Sequence, residues 1–159
     1  VRYSLVGLDK EKTHLVEISM SYVGQLRCTA THGPSGDTLN TDAPKDNMGK
    51  GEAFSPTDLV ATALGTCMLT TMAIAAQRHD IAFEGATAKV GKEMVSAPIR
   101  RIGQLTVEIS VPMELSEENE RRLRAAALSC PVHKSLHPDV KVPVTFYWGM
   151  ARRVDRVEH

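Results

Sequence analysis

The stretch from Leu59 to Ala76 carries no charged residue and constrains the fold more than any other part of the chain. It is long enough to be considered as a membrane span, but Thr62, Gly65, Thr66, Thr70 and Thr71 interrupt it, and alanine rather than leucine dominates. That composition fits a buried central helix better than a lipid-facing one. Its start is marked by Ser55 as N-cap, Pro56 at the first helical position and Asp58 three residues after the cap, the pattern of a capping box. These signals predict a helix from Pro56 to about Gln77 or Arg78.

Strands flank it. Val16, Ile18 and Met20 alternate with Glu17 and Ser19, the period of a half-buried strand, and Leu26, Cys28 and Ala30 alternate with Gln25, Arg27 and Thr29. A short strand is expected near Thr38 to Thr41. The segment His32 to Phe54 is rich in Gly, Pro, Asp and Asn, and its part from Ala43 to Phe54 reads as a functional or interface loop. Beyond the helix, Ala86, Ala88 and Val90 form one alternating set, and Leu105, Val107, Ile109 and Val111 another. Ser116 with Glu117, Glu118 and Glu120 opens a second helix ending near Ser129, since first-turn acids complement the helix dipole. Pro131 starts a short helix that His137-Pro138 stops, and Val140, Val142, Val144, Phe146 and Trp148 line a last strand. Strands grouped around helices without regular alternation indicate an α+β fold.

The 159 residues and 17.4 kDa suit one domain, taken as residues 1–150, with a charged and frayed tail at 151–159. Nineteen basic and nineteen acidic side chains cancel, which argues against nucleic acid or an anionic membrane as partner. Arg2, Asp9, Lys10 and Glu11 break any apolar opening, so no secretion signal is expected. Three cysteines do not make a disulfide framework, and the expectation is a cytoplasmic protein with structural or reactive thiols.

Cys28 shares its strand face with Leu26 and Ala30 and reads as a small packing residue. Cys67 lies mid-helix on a face with Val60, Ala63, Leu64, Thr71 and Ile74, expected to be buried. Cys130 follows Leu123, Ala126 and Ala127 on the inward face of the second helix. Pro131 makes it the N-cap of the short helix, where the helix terminus and Lys134 are expected to favour its thiolate. Two inward thiols on two core helices can meet. A thiolate beside a second thiol is the arrangement that attacks a peroxide O–O bond and then condenses to a disulfide.

Phe54-Ser55-Pro56-Thr57-Asp58-Leu59, continuing through Ala63-Leu64-Gly65-Thr66-Cys67 to Met72, together with Cys130-Pro131-Val132, resembles the OsmC/Ohr family. The resemblance runs from about Val16 to Trp148. It implies antiparallel strands around two central helices in an intertwined homodimer, with sites at the subunit interface. It further implies a thiol peroxidase of organic hydroperoxides, with Cys67 peroxidatic and Cys130 resolving. Its reductant would be a dithiol or a lipoylated protein, and no cofactor is implied. The family's glutamate at the start of the cysteine helix is replaced here by Thr57. Asp58 is assigned to capping, being about half a turn away from Cys67 around the helix. Glu52 is then the carboxylate candidate, and Arg27 the candidate for the arginine that stabilises the thiolate.

Two other readings compete. Cys130, His133 and His137 have zinc-compatible types and spacing, but Pro138 biases His137 out of a helix and no fourth ligand is near in sequence. A non-catalytic member would keep the cysteines for packing and bind an apolar small molecule at the dimer interface.

Overall fold

The computed structural model describes residues 15–150 and 153–158. The charged opening with Arg2, Asp9, Lys10 and Glu11, and residues 151, 152 and 159 of the expected tail, lie outside the described residues. The chain forms two compact units that divide between Phe54 and Ser55.

The first unit is a three-stranded antiparallel sheet, β1 (Ile18–Gly24), β2 (Arg27–His32) and β3 (Thr38–Asp42), in sequence order. Paired residues share a face, so Met20, Ala30 and Leu39 form one cross-strand row and Tyr22, Cys28 and Thr41 the next. Ser21, Thr29 and Asn40 face the other way. The alternation predicted these strands, but not their burial: Ile18, Met20 and Tyr22 are 52%, 68% and 66% exposed.

Leu26 departs from expectation. Gly24 pairs with Arg27, leaving Gln25 and Leu26 as a two-residue turn with φ of 52° and 61°. Both values are left-handed, as a tight turn matched to the strand twist requires, so Leu26 is a turn residue and not a strand residue.

After β3 the loop closes on itself. Asp42 N–H donates to the Phe54 carbonyl at 3.1 Å, and Gly51 N–H to Ala43 at 3.2 Å. A Cβ on Gly49 would lie 1.7 Å from the Ala43 oxygen, so no other residue fits this crossing.

The second unit opens with α1 (Pro56–Arg78) and continues through β4 (Thr87–Val95), β5 (Arg101–Val111), α2 (Glu117–Leu128), α3 (Pro131–Ser135), β6 (Val144–Trp148) and β7 (Arg153–Val157). Its four strands lie in the order β4-β5-β6-β7. The expected all-antiparallel arrangement is corrected at one pair: β5 and β6 run parallel. Two helices separate them in sequence, which is the length of connection a parallel pair needs. The last strand is also shorter than its alternation suggested. Lys141 makes an isolated parallel bridge to Gln104, Pro143 has no N–H to give, and the continuous strand begins at Val144.

The α+β class is as expected. Leu64, Met68 and Met72 of α1 are fully buried in one core with Leu105, Val107, Ile109 and Val111 of β5, Leu123 of α2 and Phe146 of β6. At Gly65 an added Cβ would come within 2.9 Å of Val90 Cγ2, so a missing side chain lets α1 approach β4 closely.

The charged segment expected to fray supplies β7 instead. It pairs antiparallel with β6, and Arg153 and Asp155 form ion pairs with Glu120 and Arg124 of α2. Residues four apart on a helix meet residues two apart on a strand with charges in complementary order, and Val157 on the same side of β7 packs against the core.

Candidate functional site

In the second unit, α1 packs against α3 and brings the two predicted thiols together. Cys67 comes close enough to Cys130 to perturb its ionisation, and both are free cysteines. Their exposures differ. Cys130 is completely buried, while Cys67 is partly exposed.

The face of Cys67 is less buried than the helical pattern suggested. Leu64 is fully buried but Ala63 and Ile74 are exposed, Ile74 by 44%. The buried stripe of α1 runs instead through Ala61, Leu64, Gly65, Met68, Met72 and Ala76. Cys67 sits at its margin, with one side in the core and one side open. Around it the hydroxyls of Thr66, Thr70 and Thr71 are turned back to carbonyls of their own helix at 2.8 Å, 2.8 Å and 2.9 Å. The exposed side of α1 therefore carries threonines whose hydroxyls are already used.

Cys130 is the N-cap of α3, as predicted, and the amides of His133 and Val132 favour its thiolate. The net direction is nevertheless opposite to the expectation. Burial pushes the Cys130 thiol up, and the neighbouring Cys67 side chain pushes it further. Two amides of a one-turn helix do not offset the loss of water around a fully buried sulfur. Burial therefore disfavours the Cys130 thiolate.

In the first unit, Arg27 and Glu52 are also brought together. The Arg27 guanidinium makes a salt bridge to Glu52 Oε2, and its Nη2 lies 3.4 Å from Asp42 Oδ2. The bond to Glu52 is the largest of the effects that raise the Arg27 pKa, against its partial desolvation. Asp42 was not singled out in the sequence. The available signal was its place in the polar alternation Thr38, Asn40, Asp42, which sets it opposite Arg27 across β2 and β3. Its carboxyl is held below the usual range, first by the Glu52 amide and, against burial, by Arg27.

At the start of α1 the capping box forms as read. Ser55 Oγ accepts from Asp58 N–H at 3.2 Å and Asp58 Oδ2 from Ser55 N–H at 2.8 Å. Lys92 of β4, not anticipated, places its ammonium 2.6 Å from Asp58 Oδ1 and 2.8 Å from Thr57 Oγ1. The Thr57 hydroxyl is therefore engaged by a lysine and by Ser55. Lys92 occupies the inward row of β4 with Ala88 and Val90, and a lysine in an otherwise apolar row was the missed signal.

Of the two histidines near Cys130, His133 lies on α3 and His137 does not. α3 ends at Ser135, and Leu136 is extended, so His137 lies outside the helix. His133 Nδ1 is 3.3 Å from the Leu128 carbonyl, and His137 Nδ1 accepts from Asp139 N–H at 3.2 Å. Cys28 faces the apolar side of the first sheet, between Tyr22 and Thr41.

Residues 49–145 match the family model described as OsmC-like protein. Among solved structures, a protein of Psychrobacter arcticus 273-4, provisionally described as an osmotic stress induced and detoxification response protein, is 41% identical over 88% of this chain and 100% of its own, with a TM-score of 0.77. An organic hydroperoxide resistance protein OsmC of Legionella pneumophila is 15% identical over 84% and 97%, with a TM-score of 0.70. An organic hydroperoxide resistance protein of Elizabethkingia anophelis with bound thiocyanate is 16% identical over 86% and 98%, with a TM-score of 0.67. The last two share the fold. No curated protein matches the chain.

Proposed function

The chain belongs to the OsmC-like protein family, and from that premise we propose that it is a thiol-dependent peroxidase of organic hydroperoxides. The observation that carries the reading is the close pair of one partly exposed and one buried free cysteine. Cys67, as thiolate, attacks the terminal peroxide oxygen; the O–O bond breaks, the sulfur becomes a sulfenic acid and the alkoxide leaves as the alcohol after taking a proton. Cys130 then gives its proton to the departing hydroxide as its sulfur attacks the sulfenic sulfur, and water leaves as the Cys67–Cys130 disulfide forms. An external dithiol or a lipoylated protein supplies two electrons and two protons to restore both thiols.

Arg27 and Glu52 are the proposed polar partners of the reaction, the guanidinium stabilising the thiolate and meeting the peroxide. We further propose a homodimer in which a second copy covers the apolar side of β1, where Ile18, Met20 and Tyr22 are exposed, and the open side of α1. The cytoplasm, whose thiol pools keep cysteines reduced, is the compartment such a cycle requires.

The test is stopped-flow consumption of an organic hydroperoxide by the reduced protein, with Cys67→Ser and Cys130→Ser alongside. Rapid reaction lost in Cys67→Ser, with a sulfenic acid trapped in Cys130→Ser, is expected. Reactivity no greater than that of a free thiol would overturn the reading and turn attention to an apolar ligand bound by a non-catalytic member.

A further inference from the structure

The polar cluster of the first unit contains one residue to which the peroxidase reading gives no role. Asp42 is 1% exposed, at the end of β3 directly across from Arg27. Its Oδ2 alone takes both Arg27 Nη2 at 3.4 Å and the Glu52 backbone N–H at 2.9 Å. We propose that Asp42 is the positioning residue of this cluster, setting the arginine and the glutamate in place before a hydroperoxide arrives. The proposal rests on the peroxidase reading of Arg27 and Glu52.

Exposure decides which carboxylate does the holding. The Glu52 side chain is 61% exposed, and an ion pair between a surface glutamate and an arginine is too weak to keep its own geometry. Asp42 is buried, cannot turn away, and stays ionised because the Glu52 amide and Arg27 both favour its charge.

The backbone reinforces this. Asp42 N–H holds the Phe54 carbonyl, so one residue ties the far end of the loop by its main chain and Glu52 by its side chain. Between them the loop is clamped by Gly51 N–H on Ala43, and the crossing at Gly49 leaves no room for reshaping. Glu52 thus reaches Arg27 from a loop whose closure depends on the same carboxylate that orients the guanidinium.

A double-mutant cycle separates this from a merely structural role: Asp42→Asn, Arg27→Gln and both together, compared with the unmodified protein. The readouts are the second-order rate constant for an organic hydroperoxide between pH 4 and 9, and the thermal midpoint of each variant. Asparagine keeps an oxygen for the Glu52 amide and removes the charge that orients Arg27. Asp42→Asn is expected to lower the rate constant about tenfold, since small misplacements of a reacting group are costly. In the Arg27→Gln background it should change the rate by no more than about twofold, because the residue it acts through is gone.

An equal loss in both backgrounds, or no loss in Asp42→Asn alone, overturns the proposal. If Asp42→Asn lowers the thermal midpoint, Asp42→Glu supplies the second comparison: it restores the charge, and a failure to recover rate relative to asparagine overturns the proposal as well. An unmodified protein no more reactive than a free thiol overturns the peroxidase reading, and this one with it, before any variant is compared.

Discussion

The Lys92 ammonium lies 2.6 Å from Asp58 Oδ1, which makes a residue of β4 part of the first turn of α1. A lysine at a helix N-terminus opposes the helix dipole, and Asp58 offsets it while also closing the capping box. Helix, cap and strand are therefore joined through one carboxylate.

Replacing Lys92 by Met should lower stability by about 1 kcal/mol or less, because Asp58 is well exposed and the pair is screened. The larger signature is in pH. Burial raises the Asp58 pKa, but the hydrogen bonds from Lys92 and Ser55 outweigh it and hold the carboxyl below its ordinary value. Its contribution is present above that ordinary value and is lost as pH falls through the lower folded one. Urea unfolding from pH 6 to pH 3 should show a shallower acid loss in Lys92→Met; identical slopes would mean the pair is not formed in solution.

Cys130 has the opposite sign. Its folded pKa is raised above the ordinary 9.0, so the stability gained by keeping the thiol neutral is present below that value and lost as pH rises through it. Denaturation of the reduced protein between pH 8 and 11 should reveal an alkaline decline that Cys130→Ala reduces, whatever its effect at neutral pH. An unchanged slope in that variant would show that the buried thiol is not the group being titrated.

Gly65 tests the approach of α1 to β4. Gly65→Val should destabilise by about 1–3 kcal/mol through overpacking, despite removing a helical glycine. The obstructing atom is Val90 Cγ2 at 2.9 Å from the added Cβ. Val90→Ala should therefore recover part of the loss in the double variant, measured as a denaturant midpoint. Additive losses would place the strain elsewhere.

Arg153 tests the clamp on β7. Glu120 is 6% exposed, and Arg153→Met leaves its carboxylate buried without its partner, at a cost of about 1–3 kcal/mol. Hydrogen exchange of the Arg153–Val157 amides should accelerate more than that of β5. A uniform change across the sheet would instead mean that β7 opens only with global unfolding.

Much of this was legible along the chain. Ser55, Pro56 and Asp58 mark the start of α1, and Ser116 with its acids marks that of α2, because caps are made by neighbours in sequence. That Cys67 and Cys130 could meet was suggested by two helical faces read as inward, and their pairing by the family resemblance. Other features depend on partners that sequence distance hides. The Arg27–Asp42 contact follows from strand register, and Lys92 reaches Asp58 only because β4 lies along α1. The strand at 153–157 was read as a tail because its residues are hydrophilic, and charges on α2 and the packing of Val157 hold it in place.

By itself the sequence determined most of the elements, the caps of the two long helices and the α+β class, since periodicity and capping are local properties of covalent neighbours. Tertiary structure decided that Cys130 is buried and Cys67 is not, which carboxylates meet Arg27 and where the parallel pair falls in the second sheet. Those outcomes depend on solvent exclusion and on contacts between residues far apart in sequence, and neither quantity exists until the chain has folded.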